Sequence, residues 1–283
     1  MLIPKGKLIP IGGGEAKGPD SEAASSELRQ THFFTSGILE QFLHEVKGTD
    51  SIIEIIPAAS ELPKEMGQAY IDAFRKLGCR TVHVMNFTSP EEADQATHLK
   101  RIKKADGVLF TGGDQDKLVN TLLDSQLLQI IQDRYMQEDF VIAGTSAGAA
   151  AMPRLALKEG KSAESLIKGL VETEKGLSLL SEAIIDTHFM QRSRLPRLVE
   201  ALLRNPGLFG IGLCVDTGVV ITEGNCLRAI GSGGVFIVET DAVKNTNYYE
   251  IPELQPVCVD NLRIHILAAG ATYQFRERVF SKA

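Results

Sequence analysis

Phe140–Ala151 reads FVIAGTSAGAAA, and the rest of the chain is read outward from it. Its first residues, Phe140-Val141-Ile142-Ala143, are a short apolar run of the kind that makes a buried strand. Gly144-Thr145-Ser146-Ala147-Gly148 then fits G-x-S-x-G, which puts a serine on a sharp turn between strand and helix. Ala149-Ala150-Ala151-Met152 begins as a helix would. Small neighbours are needed because strand and helix nearly touch there. Gly144 and Gly148 let backbones approach, and Ala147 leaves its own N–H open toward a substrate oxygen. The turn presents Ser146 Oγ at the carboxyl end of a sheet as a nucleophile. The plainer alternative is an ordinary glycine-rich turn. The strand-like flank before it and the small-residue flank after it count against that.

Upstream of this turn, strand and helix alternate. Strands are predicted at Lys7–Ile11, 51–57, 81–85 and Gly107–Phe110. Helices are predicted over 33–46, 63–77, 90–104 and 116–135, with a surface loop over 17–30. Such alternation implies a mostly parallel sheet with helices on both faces, and ligands then sit at the strands' carboxyl ends. The glycine run Gly12-Gly13-Gly14 follows a strand but lacks dinucleotide-fingerprint spacing. Downstream the character changes. Residues 182–186, 210–215 and 218–222 read as strands, 229–239, 261–267 and 272–275 as strands of an antiparallel extension, and 194–204 as a basic helix. With no repeat, linker or boundary in between, residues 1–283 read as one domain.

Composition sets the outer limits. A chain of 283 residues, 43% hydrophobic and 23% charged, carries a packed core. The net charge of −6 argues against nucleic acid or an anionic membrane as partner. No apolar run approaches the roughly 20 residues of a membrane span, and the N-terminus lacks signal-peptide features, so a cytoplasmic location is expected. Cys79, Cys214, Cys226 and Cys258 show no CxxC spacing and read as buried free thiols.

A serine nucleophile needs a base. Of the six histidines, His32, His44 and His98 lie on or beside helices, and His83 and His265 alternate with apolar residues inside strands. His188 follows the strand Ala183-Ile184-Ile185-Asp186 at its carboxyl end, on the same rim as Ser146, and is the candidate base. The third member of a triad is open between Asp186, Asp216 and Glu223. The oxyanion needs two N–H groups, which Ala147 and the Gly112-Gly113 loop offer, Gly113 being the second donor. Arg192, Arg194, Arg197 and Arg204 cluster just past His188. Their forks suit a substrate carboxylate, while the alternative is a solvated helix face.

TGGDQ at 111–115, GTSAGA at 144–149 and DTHFMQRSRLPRL at 186–198, in this order and at these separations, resemble the cyanophycinase family of serine peptidases. The resemblance covers nearly the whole chain. It implies a three-layer α/β/α sandwich with a mostly parallel central sheet, class I glutamine amidotransferase-like or flavodoxin-like, plus antiparallel C-terminal strands. It implies a homodimer without metal or cofactor that hydrolyses multi-L-arginyl-poly-L-aspartate to β-Asp-Arg dipeptides. Ser146 matches the nucleophile and His188 the base. Gln115, Asp186, Arg192, Arg194 and Arg197 match pocket positions, and Thr187 stands in the pocket where the family usually has glutamine. The family's triad acid falls at Val215 in this chain, with Asp216 one residue on. Asp216 takes the acid's part only if the backbone is turned there, because a one-residue shift reverses the side-chain face. The rival expectation is a weak or inactive homologue that binds an acidic or arginyl peptide.

Overall fold

The structure, a computed structural model, describes residues 3–19, 33–158 and 166–283. The first half runs β1 (Lys7–Ile11), α1 (Ile38–Glu45), β2 (Ile52–Ile56), α2 (Pro63–Lys76), β3 (Thr81–Val84), α3 (Pro90–Ala93), α4 (Ala96–Ile102), β4 (Gly107–Phe110), α5 (Gln115–Leu122), α6 (Gln126–Gln137), β5 (Val141–Thr145) and α7 (Ala147–Ala150). The second half runs β6 (Leu155–Leu157), β7 (Thr173–Lys175), β8 (Ala183–Thr187), α8 (Leu195–Arg204), β9 (Phe209–Leu213), β10 (Thr217–Thr222), β11 (Cys226–Gly231), β12 (Val235–Glu239), β13 (Arg263–Leu267), β14 (Thr272–Gln274) and β15 (Val279–Ser281).

A nine-stranded sheet in the order β15-β14-β11-β10-β1-β5-β4-β2-β3 forms the centre. The five strands from β1 to β3 in that order are parallel, and β10 joins β1 antiparallel to begin the C-terminal extension. Side-chain alternation builds the layers. Leu8, Val108, Phe110 and Ile142 face one apolar layer, which includes residues of α5 and α6. Ile9, Ile53, Leu109 and Val141 face the other, which includes residues of α1 and α2. The expected flavodoxin-like α/β sandwich is therefore the architecture found. No helix among the described residues is long and apolar enough to cross a membrane.

Several boundaries move. The span 229–239 is two strands in different sheets. β11 ends at Gly231, which has φ +95°, and β12 then joins β13, β9 and β8 in a second, four-stranded sheet. In that sheet β8 and β9 are parallel, with α8 packed against them through Leu198 and Leu202. The span 116–135 is likewise two helices. Ser125 breaks it by accepting the Leu128 N–H at the start of α6, a cap of about 1 kcal/mol. The span 90–104 is α3 and α4, and α1 begins only at Ile38. All four cysteines are free. Cys79 and Cys214 are buried as expected, but Cys226 is half-buried and Cys258 exposed. Most of the predicted 17–30 loop and His32 lie outside the described residues.

Candidate active site

The site forms where β1, β4, β5 and β8 end. Ser146 follows β5 with φ 51° and ψ −113°, a strained conformation for a residue with a side chain. The surroundings enforce it. A Cβ on Gly144 would sit 2.4 Å from the Gly148 carbonyl oxygen, and one on Gly148 would sit 2.4 Å from that of Phe110. Any larger residue at either glycine pushes α7 off the sheet and relaxes the elbow. The Ser146 N–H donates to Ile11 O at 2.9 Å, which ties the turn to β1.

His188 arrives from the second sheet. Its N–H donates to Gly12 O at 3.0 Å, and its φ of 48° turns the ring back toward β5. Nε2 lies 3.0 Å from Ser146 Oγ, the contact a serine and its base require. Gly13 lies flat against the ring, since a Cβ there would be 2.5 Å from Nε2. Burial and the charges of Arg192 and Arg194 hold the imidazole below its ordinary pKa, against an opposing pull from Glu15 and Asp186. The ring is thus neutral at pH 7 and able to accept a proton.

The proposed oxyanion donors flank Ser146. Ala147 opens α7, and a Cβ on Gly112 would lie 3.3 Å from Ser146 Cβ, so that loop is packed on the nucleophile. Gly113 has φ +141° and no room for a Cβ, which would lie 2.0 Å from Ala59 O. Among the described residues, neither the Gly113 nor the Ala147 amide N–H has an acceptor.

Asp186 is wholly buried and organises the basic wall. It accepts from Arg194 Nη1 at 2.8 Å, from Arg197 Nε at 2.7 Å and Nη2 at 2.6 Å, and from the Thr187 N–H at 2.9 Å. One carboxylate thus faces two guanidinium groups, and the wall keeps net positive charge. Thr187, Arg192, Arg194 and Arg197 line a small cleft with Ser146, Gln115 and Leu157. Gln115 donates to Leu157 O at 2.9 Å and approaches Glu174 Oε1 at 3.4 Å. Burial, a hydrogen bond shared with Asp116 and that residue's charge push the Glu174 carboxyl up to about 7. The native state therefore holds a proton that the unfolded chain has already lost by neutral pH. Stability from this group falls as pH rises through the window from about 4.5 to about 7. Glu174→Gln is expected to raise the melting temperature at pH 8 and to leave it unchanged at pH 4. An equal rise at both would show that charge repulsion is not the cause.

Asp216 is buried in the turn between β9 and β10. It has φ 52°, so the backbone is turned as required, its Oδ2 accepts from Ser232 at 2.7 Å, and its N–H donates to Gly13 O. Val215 points at Gly14, and its N–H donates to Gln191 Oε1 at 3.3 Å. Glu223 lies in the turn between β10 and β11, with φ 55°. One residue of the site escaped the sequence reading. Glu15, at the end of the glycine run, is buried and accepts from Thr145 Oγ1 at 2.7 Å, one residue before Ser146.

Fold and elbow geometry together belong to a class, the serine peptidases built on a flavodoxin-like sheet. The chain belongs to Peptidase family S51, whose profile matches residues 23–229. It is 36% identical over 236 residues to a cyanophycinase of Geminocystis herdmanii, covering 83% of this chain and 87% of that one. It is 34% identical over 272 residues to a cyanophycinase of Thermosynechococcus vestitus, covering 96% and 80%. Among solved structures it resembles a peptidase from an acI-B1 Actinobacterium with a TM-score of 0.65 and 20% identity, over 97% of this chain and 99% of that one.

Proposed function

We propose that this serine peptidase hydrolyses multi-L-arginyl-poly-L-aspartate, cyanophycin, to β-Asp-Arg dipeptides. The observation that carries the reading is the 3.0 Å contact of Ser146 Oγ with His188 Nε2, set beside a buried, net-positive arginine wall. Its similarity to two cyanophycinases supports the choice of substrate. In the first step His188 Nε2 takes the Ser146 proton while Oγ attacks the scissile carbonyl. The Gly113 and Ala147 N–H groups face the oxygen that gains charge. The imidazolium then gives its proton to the leaving amine, and a water repeats the sequence in reverse on the acyl-enzyme.

Specificity follows from the walls. Arg194 Nε is buried without a hydrogen-bond partner among the described residues, as a donor awaiting a substrate carboxylate would be. Arg192 and Arg197 extend that face, while Thr187 narrows it. Asp116 and Glu174, on the Gln115 side, suit the arginyl guanidinium. The same reading takes the protein as a cytoplasmic homodimer working without a cofactor, and sedimentation velocity reads the assembly directly.

The test is incubation with cyanophycin, with dipeptide release followed by mass spectrometry and Ser146 mapped after exposure to a fluorophosphonate. Release that the probe blocks in step with Ser146 labelling supports the reading. One observation favours a second reading, a homologue that binds without turnover: valine stands at 215, where the family's triad acid falls. Tight binding with neither release nor labelling would establish it.

A further inference from the structure

Glu15 is 3% exposed, and its carboxylate is held from three directions. Tyr70 donates its hydroxyl to Oε1, Lys17 Nζ lies 3.2 Å from the same oxygen, and Thr145 Oγ1 donates to Oε2 at 2.7 Å. Burying such a group costs several kcal/mol unless it is well paired. A packing role alone would be served by an apolar residue. Its position is specific as well. Thr145 immediately precedes the proposed nucleophile, and Gly13, two residues before Glu15, backs the imidazole. The carboxylate thus joins the two segments that set the Ser146–His188 distance.

The charges around His188 sharpen the case. Arg192 and Arg194 oppose protonation from the turn that leads into α8, while Glu15 and Asp186 favour it from the loop after β1 and from β8. Asp186 is already shared between two guanidinium groups. Val215, where the family's triad acid falls, carries no charge. Burial would raise the Glu15 carboxyl, but Lys17 and the hydroxyls of Tyr70 and Thr145 outweigh it and hold it below the ordinary value. It is therefore ionised wherever the enzyme would work.

We infer that Glu15 is a positioning residue that supplies, from beneath the site, what a triad acid supplies from beside the imidazole. Through Thr145 and the 12–15 loop it fixes the serine against the base. Its buried charge favours the imidazolium formed when His188 Nε2 takes the Ser146 proton. This rests on Ser146 and His188 acting as nucleophile and base.

The test is the pH profile of kcat/KM for cyanophycin, with the rate of Ser146 labelling by a fluorophosphonate in parallel, on the full chain. Glu15→Gln is expected to lower the plateau at least about tenfold through kcat, with KM held. It should also move the acid limb down by roughly half a pH unit, since a nearby buried charge no longer favours the imidazolium. Glu15→Asp should return the limb to the wild-type position. Lys17→Met, at a half-buried site, should move it upward by unmasking the carboxylate, and it serves if Glu15→Gln does not fold. A uniform loss of rate with the limb unmoved in both charge variants overturns the inference and leaves Glu15 a packing residue. Ser146→Ala separates the two levels. If it still releases dipeptide, the reading of Ser146 fails instead.

Discussion

Ser146→Ala is expected to lower dipeptide release by more than about 10⁴-fold, His188→Ala by a similar factor, and the double variant by no more than either. The non-additivity is the diagnostic part. A nucleophile and its base act as one device, so once Oγ is gone the imidazole has no proton to accept. What remains is the slower attack of water assisted by the oxyanion donors and the arginine wall. The size of the loss also reports on Val215. In a complete serine triad, nucleophile and base together are worth about 10⁶ and the acid alone about 10⁴, so a bare dyad would lose only about 10². A loss above about 10⁴ therefore requires another source of support for the imidazolium, the part inferred above for Glu15. The pH profile carries a second check. Burial with Arg192 and Arg194 holds His188 below its ordinary value, so the acid limb of wild-type kcat/KM should lie below the ordinary imidazole range. A Ser146→Ala protein that keeps release within tenfold of wild type would sink the nucleophile assignment.

What the sequence shows and what it hides follow the range of the interactions. The elbow is legible because its causes are local: Gly144 and Gly148 are small because strand and helix backbones touch within a few residues of them. The end of β8 is legible for the same reason, since an apolar run closing on Asp186-Thr187-His188 must put those residues on a rim. The break of 229–239 is hidden because apolar spacing does not say which sheet a strand joins. Gly231-Ser232-Gly233-Gly234 is the only local sign of the crossing. The break at Ser125 is hidden because Leu122, Leu123, Leu127 and Leu128 keep apolar residues coming across the cap. Glu15 is least legible of all. Its partners Tyr70 and Thr145 lie 55 and 130 residues away, so nothing beside it in the chain marks it as buried. The acid is a mixed case. Sequence showed that Val215 could not serve and that Asp216 needed a turned backbone. The turn is there, and in it the carboxylate accepts from Ser232.

Asp186→Ala is expected to unfold the protein more readily, by about 3–5 kcal/mol, because it strands two buried guanidinium groups without their counter-charge. For a chain of this length that is roughly 5–8 °C in melting temperature. The geometry explains why the cost should sit at the upper end for a single substitution. Asp186 is wholly buried, and Arg194 and Arg197 are 7% and 6% exposed, so water cannot replace the lost oxygens. Asp186→Asn separates charge from shape. The amide oxygen can still accept from Thr187 N–H or one arginine, but its NH₂ must face the other guanidinium, donor against donor. Asparagine should thus recover only part of the stability. The activity readout differs from that at Ser146. Asp186 touches no reacting atom, so its loss should raise KM for a carboxylate-bearing substrate by misaiming Arg194 and Arg197, with a smaller effect on kcat. Differential scanning calorimetry beside steady-state kinetics reads both. A variant as stable as wild type would mean that the two arginines find other partners, and the view of Asp186 as the anchor of the substrate wall would go with it.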